Sequence, residues 1–77
     1  MDRSKWSPKQ TILLDALKGI REESGQTQTE LAAKLQRPQS YISKYEKGER
    51  RLDLIELSEI CKACDVSLSE FVKIIDT

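Results

Sequence analysis

The sequence predicts an all-α fold, a compact bundle of five helices without a sheet. A helix start signal recurs along the chain: Ser, Thr or Asp, followed three residues later by Glu or Gln. The first side chain accepts from a free backbone N–H and the second reaches back, so each match predicts a helix N-terminus. The apolar residues that follow have the helical period, and no segment alternates with the period of a strand. The 77 residues suffice for one domain and are too few for two.

The first helix is predicted from about Pro8 to Ser24. Pro8 suits the first turn because its missing N–H would have no partner there. Gly25 is expected to end the helix. The inward stripe consists of Leu13, Ala16, Leu17 and Ile20. The start signals of this helix and of three later ones are Ser7/Gln10, Thr27/Glu30, Asp53/Glu56 and Ser67/Glu70.

The next two predicted helices are short and lie close together in the chain. The second covers about 28–36, and the third begins at 38 or 39 and ends near 47. Arg37 and Pro38 separate them, because the residue before a proline disfavours the helical conformation. Gly48 is expected to end the third helix. Two short helices with a break of three or four residues have the shape of a helix-turn-helix.

The fourth helix is predicted over about 54–64 and the fifth over about 68–76. Their inward stripes are Leu57, Ile60, Cys61 and Cys64 in the fourth helix, and Leu68, Phe71, Val72 and Ile75 in the fifth. Residues 1–7 are interpreted as an N-terminal extension and residues 8–77 as a single domain. Trp6, in the extension, is expected to pack on the bundle.

Charge is balanced overall but unevenly distributed. Lys plus Arg and Asp plus Glu number 13 each. Residues 34–51 carry six positive and two negative side chains, a net +4, whereas residues 52–77 carry two positive and six negative, a net −4. One end of the molecule can therefore face phosphate while the other repels it. From charge alone, a solvated surface with chance clustering is as good an interpretation as a surface that faces phosphate.

The third helix has separate inner and outer faces. At about 100° per residue, Ile42 and Tyr45 lie within 60° of each other and form the inner face. The outer face and the first turn carry Gln39, Ser40, Ser43 and Lys44. Gln can pair with adenine, Lys can reach guanine, and Ser can donate or accept, so this face could read base edges. An ordinary amphipathic helix with a polar outside is the alternative.

Catalysis, metal binding and cofactor binding are not expected. Cys61 and Cys64 form a C-x-x-C pair, but there is no second pair and no histidine to complete a zinc site. Both are expected to be buried, unreactive thiols. A nucleophile would lack a histidine base, so we expect a non-enzyme. No signal peptide, membrane span or small-molecule effector domain is recognisable, and a cytoplasmic location is expected.

Two runs closely resemble the Cro and phage-repressor type of helix-turn-helix domain, also called the xenobiotic-response-element (XRE) type. They are residues 27–35, TQTELAAKL, and residues 39–48, QSYISKYEKG. The resemblance extends back to Arg21 and forward to Phe71, and covers roughly residues 20 to 75. It implies a lambda-repressor-like bundle whose third helix enters the major groove of double-stranded DNA.

The resemblance also implies residue roles. Base-reading residues would be Gln39, Ser40, Ser43 and Lys44. Phosphate-binding residues would be Thr27, Gln28, Tyr41, Arg50 and Arg51, with Gln28 also bracing Gln39. Arg21 would form a structural ion pair with Glu46. A plain electrostatic reason supports the phosphate roles, since helix N-termini and cations attract anions.

Four loop positions depart from the pattern of the family. Gln36 stands where glycine is usual in the turn, and a left-handed conformation there would carry mild strain. Pro38 replaces the usual Ser or Thr cap before the third helix. Leu52 stands where proline is common, and Asp65 where glycine is common. The departures put the entry angle of the third helix in question more than the fold.

The function that the resemblance implies is sequence-specific DNA binding and transcriptional regulation, with repression as the default. A homodimer on DNA is expected, because a small module gains affinity and site length by pairing. Val72, Ile74 and Ile75 on the last helix are the candidate dimer contacts. The alternative is a protein-interaction module, such as an antitoxin-like partner, that keeps the fold with little operator binding.

Overall fold

Five helices follow one another in the computed structural model, which describes residues 7–76. They are α1 (Pro8–Glu23), α2 (Gln28–Leu35), α3 (Gln39–Glu46), α4 (Leu54–Ala63) and α5 (Leu68–Ile75). Each boundary agrees with its prediction to within one residue, and no strand occurs among the described residues. The all-α prediction is confirmed. Trp6 lies outside the described residues, so its expected packing stays a prediction.

The helix starts follow from the local signals. Three of the four predicted pairs form complete capping boxes, at Ser7, Thr27 and Asp53. In the second box, the Glu30 N–H donates to Thr27 Oγ1 over 3.1 Å and the Thr27 N–H donates to Glu30 Oε1 over 2.9 Å. Ser67 accepts from the Glu70 N–H, but the carboxylate of Glu70 accepts from the Ser67 hydroxyl. Pro38 begins α3 without a side-chain cap.

Left-handed residues end the first four helices. Gly25 (φ 76°) follows α1 and Gly48 (φ 80°) follows α3, whereas Gln36 (φ 57°) follows α2 and Asp65 (φ 60°) follows α4. The strain predicted at Gln36 is therefore present, and Asp65 shares it. A left-handed conformation costs a residue with a Cβ about 1 kcal/mol. The turn of the helix-turn-helix thus forms even though glycine is missing.

Residues from all five helices form the core. α1 packs against α3 and α5, α2 against α3 and α4, and α4 against α5. The largest fully buried side chains are Leu17, Leu31, Ile42, Tyr45, Ile60, Cys61 and Phe71. Leu14 is buried as well, although the predicted stripe of α1 omitted it. Ile42 and Tyr45 are confirmed as the inner face of α3.

One predicted core position is wrong. Val72 was assigned to the inward stripe of α5 but is 42% exposed. α5 packs mainly against α1 and α4, so its apolar stripe is wider than the face it buries. Phe71 fills the core at 0% exposure, and Ile75 is half-buried against it.

Tyr45 carries a polar group into the core without a partner. The side chain is fully buried, and its hydroxyl finds no hydrogen-bond partner among the described residues. The pKa of Tyr45 lies well above its usual range, and burial of the hydroxyl is the largest cause of this shift. Tyr45 also borders a cavity of about 100 Å³, lined by four leucines together with Gln10, Arg50 and Arg51. The hydroxyl therefore loses its hydration on folding and gains nothing from the protein.

Replacing Tyr45 with Phe should raise the free energy of unfolding by about 1 kcal/mol, because an unsatisfied buried polar group costs roughly 1–3 kcal/mol. Tyr41→Phe is the matched control, since the Tyr41 hydroxyl, unlike that of Tyr45, is not a buried polar group without a partner. That variant should be no more stable than the wild type. Urea unfolding followed by circular dichroism measures both. A loss of stability in Tyr45→Phe would show that the hydroxyl has a partner.

Alanine substitutions at Gly19, within α1, and at Gly25, just after α1, should change the stability of the protein in opposite directions. Gly19 lies within α1, and an added methyl group meets nothing within 4 Å. Gly19→Ala should therefore stabilise the protein by about 1 kcal/mol. Gly25 has space too, but its φ of +76° disfavours a Cβ, so Gly25→Ala should cost about 1 kcal/mol. Thermal unfolding of the two variants tests this; shifts of the same sign would contradict it.

Candidate nucleic-acid interface

The outer face of α3 is polar and open. Gln39, Ser40 and Lys44 are exposed, and Ser43 is half-buried. The opposite face is held by Ile42, which has 0% exposure. The four predicted base-reading residues thus lie along one surface of α3, from Gln39 in its first turn to Lys44 in its last. No bulky apolar side chain of α3 stands on that surface to prevent its approach to a groove floor.

Arg21 and Glu46 form a buried, bidentate ion pair between α1 and α3. Arg21 Nε donates to Glu46 Oε2 over 2.8 Å, and Nη2 donates to Oε1 over 3.1 Å. Nη1 donates to the Gln26 carbonyl over 2.9 Å. The two side chains are 10% and 6% exposed. The hydrogen bonds that Arg21 donates to Glu46 are the largest cause that raises the pKa of Arg21, so the guanidinium stays charged.

The ion pair continues into a chain of side-chain amides. Gln28 Nε2 donates to Glu46 Oε1 over 3.0 Å, and Gln39 Nε2 donates to Gln28 Oε1 over 2.6 Å. A carboxylate only accepts, so Gln28 must present its amino group to Glu46. Its oxygen then faces Gln39, which must present its own amino group in turn. Glu46 thereby fixes which way both amides point.

The oriented Gln39 has hydrogen-bonding capacity left over. One N–H of its amino group is used on Gln28, which leaves the second N–H and the oxygen Oε1. A donor and an acceptor side by side match the N7 and the N6 amino group of adenine. The chain Arg21–Glu46–Gln28–Gln39 therefore holds an adenine-compatible amide at the start of α3.

The start of α2 lies beside this chain. Gln28 is the first residue of α2, where backbone N–H groups are free and attract anions. The Thr27 oxygen accepts from the Glu30 N–H. The N–H and hydroxyl of Thr27 lower the pKa of Glu30 and keep it ionised. This end of α2 thus offers donors, together with one nearby negative charge.

Tyr41 lies within a cluster that the sequence reasoning did not identify. It is only 7% exposed, with the guanidinium carbons of Arg37 and Arg50 at 4.7 and 4.9 Å from its ring centroid. Glu56 accepts a hydrogen bond from Arg50, and its carboxylate lies 4.0 Å from Arg37. Burial raises the pKa of Tyr41, with the charge of Glu56 adding to the shift. The ring thus serves as a support for two cations.

Arg37 is the functional candidate that sequence reasoning missed. It was used only for the charge of residues 34–51 and for the break before Pro38, although a cation directly before the third helix was a usable signal. Arg50 belongs to the loop after α3, but its guanidinium lies over the same Tyr41 ring as that of Arg37. Arg51 is exposed in the same loop as Arg50. Arg37 and Arg50 therefore bring positive charge to one place on α3, around Tyr41.

The candidate dimer contacts lie on the far end of the chain. Ile74 is 50% and Val72 is 42% exposed, whereas Ile75 is half-buried. A second apolar pair, Leu54 at 64% and Ile55 at 68% exposure, was not singled out from the sequence. Both lie in the first turn of α4, where apolar residues meet no neighbouring helix.

The two cysteines are buried and free. Burial is the largest cause that raises the pKa of Cys61, to about 11, and it raises the pKa of Cys64 as well. Few thiolates form at neutral pH under these conditions. Among residues 7–76, no group of His, Cys, Asp or Glu is arranged to hold a metal ion. Within the same range, no helix combines the length and apolar character needed to cross a bilayer.

Comparison with known proteins identifies a family and finds similar solved structures. The family model described as helix-turn-helix matches residues 17–71. Among solved structures, the chain is similar to an XRE-family like protein from Pseudomonas syringae pv. tomato str. DC3000. The two are 41% identical, with a TM-score of 0.84 over 88% of this chain and 83% of that one. No curated protein matches.

The matched residues contain α2 and α3, the break between them and the ion pair of Arg21 with Glu46. They cover well over half of the chain, and the structural match extends the likeness to the whole bundle. The chain therefore belongs to the XRE-type helix-turn-helix family of DNA-binding regulators.

Proposed function

We propose that the chain represses transcription by placing α3 in the major groove of an operator. The observation that supports this most directly is the oriented amide chain from Glu46 through Gln28 to Gln39. A buried charge that fixes the direction of a surface amide is of little use to a solvated helix. It is useful to a helix whose first turn must meet a base edge in one orientation.

Base reading is assigned to the outer face of α3. Gln39 pairs with adenine through its free N–H and oxygen, and Lys44 reaches guanine one turn further along. Ser40 and Ser43 make the shorter contacts to neighbouring bases. All four side chains have some exposure on the same surface, which supports a common role.

Phosphate binding is assigned to the surroundings of that face. Gln28 and Thr27 hold a phosphate at the start of α2, where free N–H groups and the helix dipole favour an anion. Arg50 and Arg51, from the loop after α3, bind the DNA backbone, with the guanidinium of Arg50 held on the Tyr41 ring. Tyr41 is mostly buried, so its part is to support Arg50 rather than to present a broad surface to DNA.

The functional form is a homodimer on a two-fold symmetric operator in the cytoplasm. The exposed Val72 and Ile74, with Ile75 beside them, supply an apolar surface for the second copy. A dimer places two α3 helices one turn of DNA apart. The chain acts without catalysis, and protein concentration and pairing control its occupancy of the operator.

Selection from a random duplex library at near-physiological salt tests the proposal. Enrichment of a two-fold symmetric motif is the expected result, and its half-site spacing gives the distance between the α3 helices. Absence of any enriched motif, with the protein folded, would contradict it. The exposed apolar pair Leu54 and Ile55 would then favour the alternative of a protein-interaction module.

Two substitutions separate base reading from phosphate binding. Lys44→Ala should change the preference at one base pair by roughly 1–3 kcal/mol and spare the others. Arg51→Ala should weaken binding to all sequences alike and lower the slope of log affinity against log salt by about 0.9. Both remove one positive charge, so each controls for the other. Unchanged base preference in Lys44→Ala would disprove its assignment.

Glu46→Gln should weaken the adenine preference of Gln39. A Gln at position 46 can donate to Gln28, which then turns and consumes the oxygen that Gln39 needs for adenine. The preference should fall by about 1 kcal/mol at that base pair. Glu49→Gln, in the exposed loop after α3, removes the same charge and should leave the preference unchanged.

Competition binding with operators changed at single positions measures the effect, at a temperature where circular dichroism shows each variant folded. An equal loss at every base pair in Glu46→Gln would contradict the orienting role and leave only a loss of stability.

A further inference from the structure

Two arginines from different segments converge on one ring beside the first turn of α3. Arg37 belongs to the break between α2 and α3, and Arg50 to the loop after α3. Their guanidinium carbons lie 4.7 and 4.9 Å from the centroid of Tyr41. Since Tyr41 is 7% exposed and belongs to α3, both cations are held in place relative to that helix.

The two guanidinium groups stay accessible while held. The side chains of Arg37 and Arg50 are 40% and 37% exposed, so each presents part of its surface to solvent. A guanidinium has five donors, and stacking on a ring uses none of them. Two such groups around one ring can therefore donate to a single anion or to neighbouring anions.

One carboxylate already lies beside the guanidinium groups of Arg37 and Arg50. Glu56 accepts from Arg50 and lies 4.0 Å from Arg37, and its own side chain is 14% exposed. It is held there because its other oxygen accepts from the Asp53 N–H over 3.0 Å in the capping box of α4. The cluster of two cations and one anion keeps a net positive charge. Carboxylate and phosphate favour the same planar fork of donors, so they compete for it.

We propose that Arg37 and Arg50 form a clamp for a DNA backbone phosphate and that Glu56 is its built-in competitor. This rests on the proposed function, because it needs α3 to approach DNA. Glu56 lowers the affinity of the clamp for phosphate in every sequence, since phosphate contacts carry no base information. The carboxylate thereby sets how tightly the protein holds random DNA, while the outer face of α3 sets which sequence it prefers.

The test compares Glu56→Gln with Glu59→Gln. Both remove one negative charge from α4, and Glu59 is exposed outside the cluster. A Gln at position 56 keeps an oxygen for the capping box, so α4 retains its start. The probe is a fluorescent duplex of random sequence, titrated at several KCl concentrations. We expect Glu56→Gln to tighten binding about fivefold more than Glu59→Gln. Equal effects of the two substitutions would show that Glu56 does not compete with phosphate for the clamp.

A second comparison tests the clamp even if Glu56→Gln fails to fold. Arg37→Gln should lower the salt slope by about 0.9, whereas Lys62→Gln, the same charge change on the outer side of α4, should not. In the Glu56→Gln background, the loss caused by Arg37→Gln should be larger than in the wild type. No change of slope in Arg37→Gln would overturn the clamp.

Failure of the clamp and failure of the proposed function have different outcomes. If library selection enriches a motif while Arg37→Gln and Glu56→Gln match their controls, base reading stands and the clamp is wrong. If the protein binds no duplex in either experiment, the proposed function falls and the clamp falls with it.

Discussion

The buried pair of Arg21 and Glu46 is the interaction on which the arrangement of the side chains proposed to face DNA depends. A buried ion pair contributes little net stability against an apolar pair of the same size, but losing one partner costs about 3–5 kcal/mol. Its effect is therefore to fix geometry. It ties α1 to α3, and because a carboxylate only accepts, it also sets the direction of two amides. The carboxylate of Glu46 therefore serves both the packing of α1 against α3 and the proposed recognition of DNA.

Local rules account for most of what could be predicted. The caps at Thr27 and Asp53, the break at Pro38 and the glycines after α1 and α3 each act within a few residues, so they can be read from the chain. The exposure of Val72 could not be, because it depends on how many helices surround α5. The unpaired hydroxyl of Tyr45 likewise depends on which atoms of other helices reach it.

The candidate site likewise contains residues that could be predicted from the sequence and residues that could not. The outer face of α3 follows from helical period, and the roles of Gln28, Arg21 and Glu46 came from the resemblance. The cluster around Tyr41 was missed, because Arg37, Arg50 and Glu56 come from three separate segments that only the fold brings together. The net +4 of residues 34–51 also overstated the open charge, since Arg50 already faces a carboxylate from outside that segment.

The reactivity of the two core cysteines can be used to measure local opening of the bundle around α4. Cys61 has 0% and Cys64 has 3% exposure, and burial holds the pKa of both thiols above the ordinary value. A thiol reagent therefore reacts only when α4 separates from the bundle. The rate of labelling then measures the free energy of that opening under native conditions. Because α4 also carries Glu56, the same rate follows how firmly the carboxylate is held in the cluster around Tyr41.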